Sequence, residues 1–101
     1  MAAPEHRRAM TEIDIRCEPE GTRWVCRVTV TEGATATEHV VGVDPGEVAR
    51  LEPGSADPTA LVRRSFEFLL EREPKESILR AFDLPVIGRY FPEWEGVVRR
   101  G

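Results

Sequence analysis

Three consecutive stretches of this chain alternate apolar and polar residues with a period of two, separated by short gaps that carry glycine. The pattern is restrictive because a β-strand sends successive side chains to opposite faces, so each stretch predicts a half-buried strand. From Glu12 to Cys17, the residues Ile13, Ile15 and Cys17 share one face, and Glu12, Asp14 and Arg16 the other. Arg23 to Thr31 repeats this, with Trp24, Cys26, Val28 and Val30 opposite Arg23, Arg27, Thr29 and Thr31; Val25 is the apolar exception. Thr35 to Val43 sets Thr37, His39, Val41 and Val43 against Ala36, Glu38, Val40 and Gly42.

The gaps predict a register, since directly paired residues of an antiparallel sheet lie on the same side. A first turn centred on Glu20-Gly21 pairs Cys17 with Trp24, Ile15 with Cys26 and Ile13 with Val28, and sets Asp14 across from Arg27 and Glu18 across from Arg23. A second turn at Gly33-Ala34, with glycine first as a type II′ turn requires, brings Val41 to Cys26 and Val43 to Trp24. The two patterns agree on a three-stranded antiparallel meander, order 1-2-3, with one apolar face.

A helical layer follows. Asp44-Pro45-Gly46-Glu47 supplies an N-cap, a proline at the first helical position and a glutamate three residues after the Asp. Whether Val48 to Leu51 is helix or a fourth strand stays open. Asp57-Pro58 opens the main helix, running to about Glu73 before Pro74. Val62, Phe66, Leu69 and Leu70 form one stripe with Leu61 at its margin, whereas Arg63, Arg64, Glu67 and Glu71 form the solvated side. The stripe is expected to cover the apolar sheet face. Shorter helices are expected over Lys75 to Phe82 and Leu84 to Phe91, separated by prolines. The fold class is therefore α+β.

With 101 residues, the chain supports one core and one domain. Residues 11–94 are expected to form it, with a flexible arm at 1–10 and a flexible tail at 95–101. The 14 basic and 18 acidic residues leave a net charge of −4, which disfavours nucleic acid as a partner. No apolar run approaches the roughly 20 residues of a membrane helix, and Met1 to Arg8 lacks the apolar region of a signal peptide. A cytoplasmic protein without a membrane partner is expected. Only Lys75 among the basic residues is lysine, which together with abundant Ala, Gly, Pro and Val suggests the codon usage of a GC-rich bacterium.

Chemistry-bearing residues are few. In the register above, Cys17 and Cys26 are diagonal neighbours at roughly 7 to 8 Å, beyond disulfide reach, and are read as core thiols. With His6 and His39 they offer no metal-ligand spacing, so no metal or other cofactor is expected. His39 is read as a core-rim histidine, with no partner motif for a general base. No nucleophile elbow, phosphate loop or dinucleotide fingerprint occurs, and no enzyme activity is expected. Arg63 and Arg64 have Glu67 in reach on the helix, and Arg27 has Asp14 across the sheet, so solvated ion pairs account for the basic clusters.

The late aromatics carry more information. Phe68 projects from the main helix away from its core stripe, and Tyr90, Phe91 and Trp94 cluster around Pro92. Either the C-terminal helices bury them against Phe68, or Phe68, Tyr90, Phe91 and Trp94 form an apolar interface. The open edges of the first and third strands offer another route to association, by strand addition.

The run Ser65 to Leu79, followed by Tyr90-Phe-Pro-Glu-Trp94, resembles a family of small uncharacterised bacterial proteins, which implies no activity. Over roughly residues 12–73 the order of three strands and a helix is similar to the HicB-type antitoxin domain, without the DNA-binding segment many such antitoxins carry. A double-stranded RNA-binding domain shares that order, but its leading helix and basic helix start are missing. These features predict a non-catalytic protein-interaction module that self-associates as a homodimer, the alternative being a HicB-like neutraliser of a basic partner protein. A ligand pocket between the sheet and the C-terminal helices is a third possibility, with His39 as its acid or base.

Overall fold

The computed structural model describes residues 11–99, and the arm expected at 1–10 lies outside them. Strands β1 (Thr11–Glu20), β2 (Arg23–Glu32) and β3 (Thr35–Val43) form the expected antiparallel meander. The second hairpin has the expected register, Val41 facing Cys26 and Val43 facing Trp24. Gly33, at φ 58°, is the first central residue of its turn, and Ala34 stays out of the left-handed region.

The first hairpin is shifted by two residues from expectation. Gly21, at φ 62°, is the first central residue there too, so the turn is Gly21-Thr22 rather than Glu20-Gly21. Cys17 therefore faces Cys26, Ile15 faces Val28 and Ile13 faces Val30. A two-residue shift leaves every side chain on its expected face but changes all the partners. The expected Asp14–Arg27 and Glu18–Arg23 pairs give way to Asp14 opposite Thr29 and Glu18 opposite Val25, and Arg16 faces Arg27. Cys17 and Cys26, expected as free thiols, are joined by a disulfide.

A fourth strand, β4 (Ala81–Asp83), lies parallel to β3 and completes a mixed sheet in the order β1-β2-β3-β4. It replaces the helix expected over Lys75 to Phe82, of which only a 3₁₀ turn at Lys75–Ser77 remains. The backbone turns extended at Ile78, with ψ 134°. Beyond it the Val40 N–H donates to the Arg80 carbonyl at 2.8 Å, and the Leu84 N–H to the Gly42 carbonyl at 2.9 Å. Part of the β3 edge thus satisfies its backbone groups with this segment, an outcome that local periodicity does not encode.

The helices are α1 (Pro45–Leu51), α2 (Thr59–Leu70), α3 (Val86–Tyr90) and α4 (Trp94–Val98). The segment from Val48 to Leu51 is helical. Its start is fixed where the Asp44 N–H donates to Glu47 Oε1 at 3.2 Å. The main helix α2 begins where the Thr59 N–H donates to Asp57 Oδ1 at 2.9 Å, and it is shorter at its far end than predicted. Residues 95–98, expected in a loose tail, belong to α4, whose Val98 is buried.

The core lies between the inner sheet face and α2. Cys26, Val28, Val30, Val41 and Val43 meet Leu61, Val62, Phe66 and Leu69, with Val48 and Leu51 of α1 closing one side. Ile78, Leu84, Ile87, Trp94 and Val98 complete it from the C-terminal segment. At the other side Lys75, 3% exposed, donates to Thr35 Oγ1 at 2.6 Å and Glu76 Oε2 at 2.8 Å, holding the 3₁₀ turn against the second hairpin.

Candidate functional site

Of the four candidate interface aromatics, the structure leaves only Tyr90 largely open to solvent, at 67% exposure. Phe68 and Trp94 are buried and Phe91 is half-buried, so Phe68 and Trp94 are not available to a partner. The Phe91 ring meets Phe68 edge-on at 5.7 Å, and the Arg72 guanidinium lies over the Phe68 ring at 3.6 Å. The Trp94 Nε1–H donates to Ser65 Oγ at 3.1 Å, and that hydroxyl donates to the Leu61 carbonyl at 2.8 Å. Ser65 is the sequence signal for this burial: a hydroxyl on the buried side of α2 gives the indole the acceptor it needs in a core.

His39 is buried against the Phe66 ring at 5.3 Å. Its Nδ1 bonds the Leu79 carbonyl and its Nε2 the Thr37 hydroxyl, each at 2.8 Å. A carbonyl can only accept, so Nδ1 carries the proton and Nε2 accepts from Thr37. Burial lowers the His39 pKa below its ordinary value, against the opposing bond to Leu79. Both ring nitrogens are held within the fold, one by the Thr37 side chain and one by the Leu79 backbone. The imidazole ties β3 to the segment leading into β4.

The basic residues are not the solvated helix pairs expected. Arg64 donates to the Val98 carbonyl from Nε at 3.0 Å and from Nη2 at 2.6 Å, and forms an ion pair with Glu52 in which both side chains are mostly buried. Arg23 bridges Asp44 at 2.6 Å and Asp83 at 3.1 Å on the outer sheet face. Gly42 makes room for that bridge, since a Cβ there would meet Asp83 Oδ1 at 2.6 Å.

The remaining candidate is the β1 edge. The Cα atoms of Cys17 and Cys26 are 4.0 Å apart, the close spacing of a non-hydrogen-bonded pair. Alternation along the ladder then turns the N–H and C=O groups of Ile13, Ile15 and Cys17 away from β2, toward an edge that no strand of the described residues covers. Two observations agree with this phase. Pro19, which has no N–H to donate, falls on the outward set, and the Ile13 carbonyl accepts from Arg63 Nη1 at 2.8 Å. The side chains of Ile13, Ile15 and Cys17 are only half-buried, although they lie on the core face. On the outer face Asp14 and Arg16, both well exposed, stand 3.9 Å apart.

Among the described residues no cluster of three or more His, Cys, Asp or Glu could hold a metal ion, and no helix is long and apolar enough to cross a membrane. No protein-family model matches the sequence, and neither a curated protein nor a solved structure matches the chain.

Proposed function

We propose that the protein is a non-catalytic interaction module that self-associates by pairing the β1 edges of two copies. The observation that carries this is the ten-residue edge strand whose core-side residues remain half-exposed. Such an edge is a template for strand addition, and pairing here requires the Ile13 carbonyl, which already accepts from Arg63, to take the Cys17 N–H of the second copy as well. Antiparallel pairing about a two-fold axis at Ile15 sets Ile13 opposite Cys17 of the second copy and Ile15 opposite itself, extending the apolar face across the junction. On the outer face it sets Asp14 opposite Arg16 of the second copy, twice. Glu12 then faces Glu18 at each end, a repulsion of similar size.

Those outer pairs make the reading testable by light scattering over a concentration series. Arg16→Glu removes both attractive pairs and is expected to give a monomer. Asp14→Arg/Arg16→Asp restores the charge pattern and the dimer, and Glu18→Arg tightens it. These positions are exposed, so the fold is retained. A wild-type monomer at all concentrations, or a dimer indifferent to the three variants, overturns the pairing.

A second reading is the HicB-like neutraliser of a basic partner, favoured by the net charge of −4 and by the exposed glutamates Glu18 and Glu20 beside the first turn. Recovery of a stoichiometric basic protein with the tagged chain would support it over self-association. As for the compartment, a Cys17–Cys26 disulfide favours an oxidising environment over the cytoplasm expected from the sequence.

A further inference from the structure

We infer that a cavity at the β4 end of the molecule binds a small hydrophobic amine, an aromatic or branched-alkyl group carrying a primary ammonium. The cavity has a volume of about 210 Å³ and is walled by Leu69, Ile78, Phe82, Ile87 and Phe91, with Glu73 among its lining residues. A dry cavity of about 150 Å³ is enough to hold benzene, so this one takes a single ring with a short arm and is too small for a drug-sized molecule.

The charge of the arm follows from Glu73. Its carboxylate has no ion pair or side-chain hydrogen bond among the described residues, although cations stand on either side of it in sequence. Arg72 is committed to the Phe68 ring, Glu71 and Glu93, and Lys75 to Thr35, Glu32 and Glu76. Among the described residues no basic one lines the cavity. A half-buried glutamate among apolar lining residues, with no counter-charge from the described residues, selects a ligand that brings a cation and an apolar body together. Ser77 and Tyr90, also among the lining residues, carry hydroxyls able to accept further ammonium hydrogens. His39 does not line this cavity, so the histidine chemistry expected of a pocket beside the C-terminal helices has no place in it. The site is independent of β1-edge pairing, since β1 and β4 are opposite edges of the sheet.

The test is titration of the full chain with phenethylamine, 2-phenylethanol and phenylacetate, three ligands of one shape and different charge, followed by calorimetry and amide chemical shifts. Phenethylamine is expected to bind about tenfold more tightly than the alcohol, the ratio that one charge-assisted hydrogen bond supplies. Shifts should concentrate at Leu69, Phe82 and Phe91. In Glu73→Gln the amine should fall to the affinity of the alcohol while the alcohol is unchanged, which separates loss of the charge from loss of the fold. Equal binding of amine and alcohol by the wild type, preference for phenylacetate, or no saturable shift up to the solubility limit overturns the inference.

Discussion

His39 Nδ1 donates to the carbonyl of Leu79, 40 positions later in the chain, at 2.8 Å. That bond holds the chain leading into β4 against β3, and it needs a neutral ring whose Nε2 is free to accept from Thr37. Protonation would turn Nε2 into a donor and put a charge beside Phe66 in the core. Burial sets the folded-state pKa below the unfolded value of 6.5, with Arg80 nearby lowering it further. Above pH 6.5 both states are neutral and the full stability is present. As the pH falls below 6.5 the unfolded chain takes the proton first, and stability is lost until the folded-state pKa is reached. Urea midpoints measured from pH 8 to 5 should fall over that interval in the wild type, and the fall should shrink in His39→Phe. Asp57 and Glu76 are held below their ordinary 3.8 and 4.5 by hydrogen bonds, away from this interval, whereas burial pushes Glu47 up from 4.5, a shift that stabilises the folded state on acidification and so opposes the fall rather than causing it. A wild-type midpoint that is flat from pH 7 to 5 would show that the ring is not held neutral.

The Cys17–Cys26 disulfide closes a loop with a sequence separation of 9. A loop that short restricts the unfolded chain by about 2.5 kcal/mol in the chain-entropy account. Reduction should lower the unfolding free energy by about that amount while leaving the far-ultraviolet spectrum nearly unchanged, because β2 stays paired on both sides. Denatured, unreduced protein should show no free thiol. Two titratable thiols in that sample would reject the bond.

The same disulfide depends on a register that strand patterning leaves open. The alternation of Ile13, Ile15 and Cys17 against Val28, Val30 and Cys26 identifies strands and faces, yet a shift of two residues preserves every face, so patterning alone cannot choose between registers. Turn chemistry could have chosen. Gly33 stands first in its turn, and Gly21 in the same place sets Cys17 directly opposite Cys26. β4 was not legible by such means. Three residues are too few for a period, and Ile78, Leu79 and Phe82 mimic helical spacing. What makes Ala81–Asp83 a strand is the β3 edge and the His39–Leu79 bond, both of which exist only after folding. The burial of Phe68 was hidden for a related reason. A helical wheel finds one apolar stripe, but α2 is covered a second time by Phe91 and the C-terminal segment.

Phe66 stands at the centre of this arrangement, fully buried, with His39 at 5.3 Å and Phe82 at 6.2 Å between ring centroids. Phe66→Ala should destabilise the protein by about 3 to 5 kcal/mol, as large-to-small changes do where the surroundings cannot collapse. Arg63→Ala, three positions away on the exposed side of α2, loses only a bond to the Ile13 carbonyl at a solvent-accessible edge and should cost under about 1 kcal/mol. Denaturant titration of the two variants compares them directly, and equal losses would mean that α2 is rotated about its axis.

Arg64 and Glu52 form the ion pair on which the C-terminal segment depends. Their side chains are 17% and 15% exposed, so the pair is little screened by solvent. The same guanidinium holds the Val98 carbonyl, the last residue of α4. Arg64→Met would keep much of the side-chain volume while leaving the Glu52 carboxylate without its counter-charge and the Val98 carbonyl without its donor. The expected loss is about 2 to 3 kcal/mol, most of it from the stranded carboxylate. Adding Glu52→Gln removes the uncompensated charge, so the double variant should be more stable than Arg64→Met alone. Hydrogen exchange adds a local readout: the Arg99 amide, which bonds the Glu95 carbonyl at 3.0 Å, should lose protection in Arg64→Met well before the β2 amides do. A loss under about 0.5 kcal/mol, with the α4 amides still protected, would place Arg64 among the weak surface pairs that its sequence neighbour Glu67 had suggested.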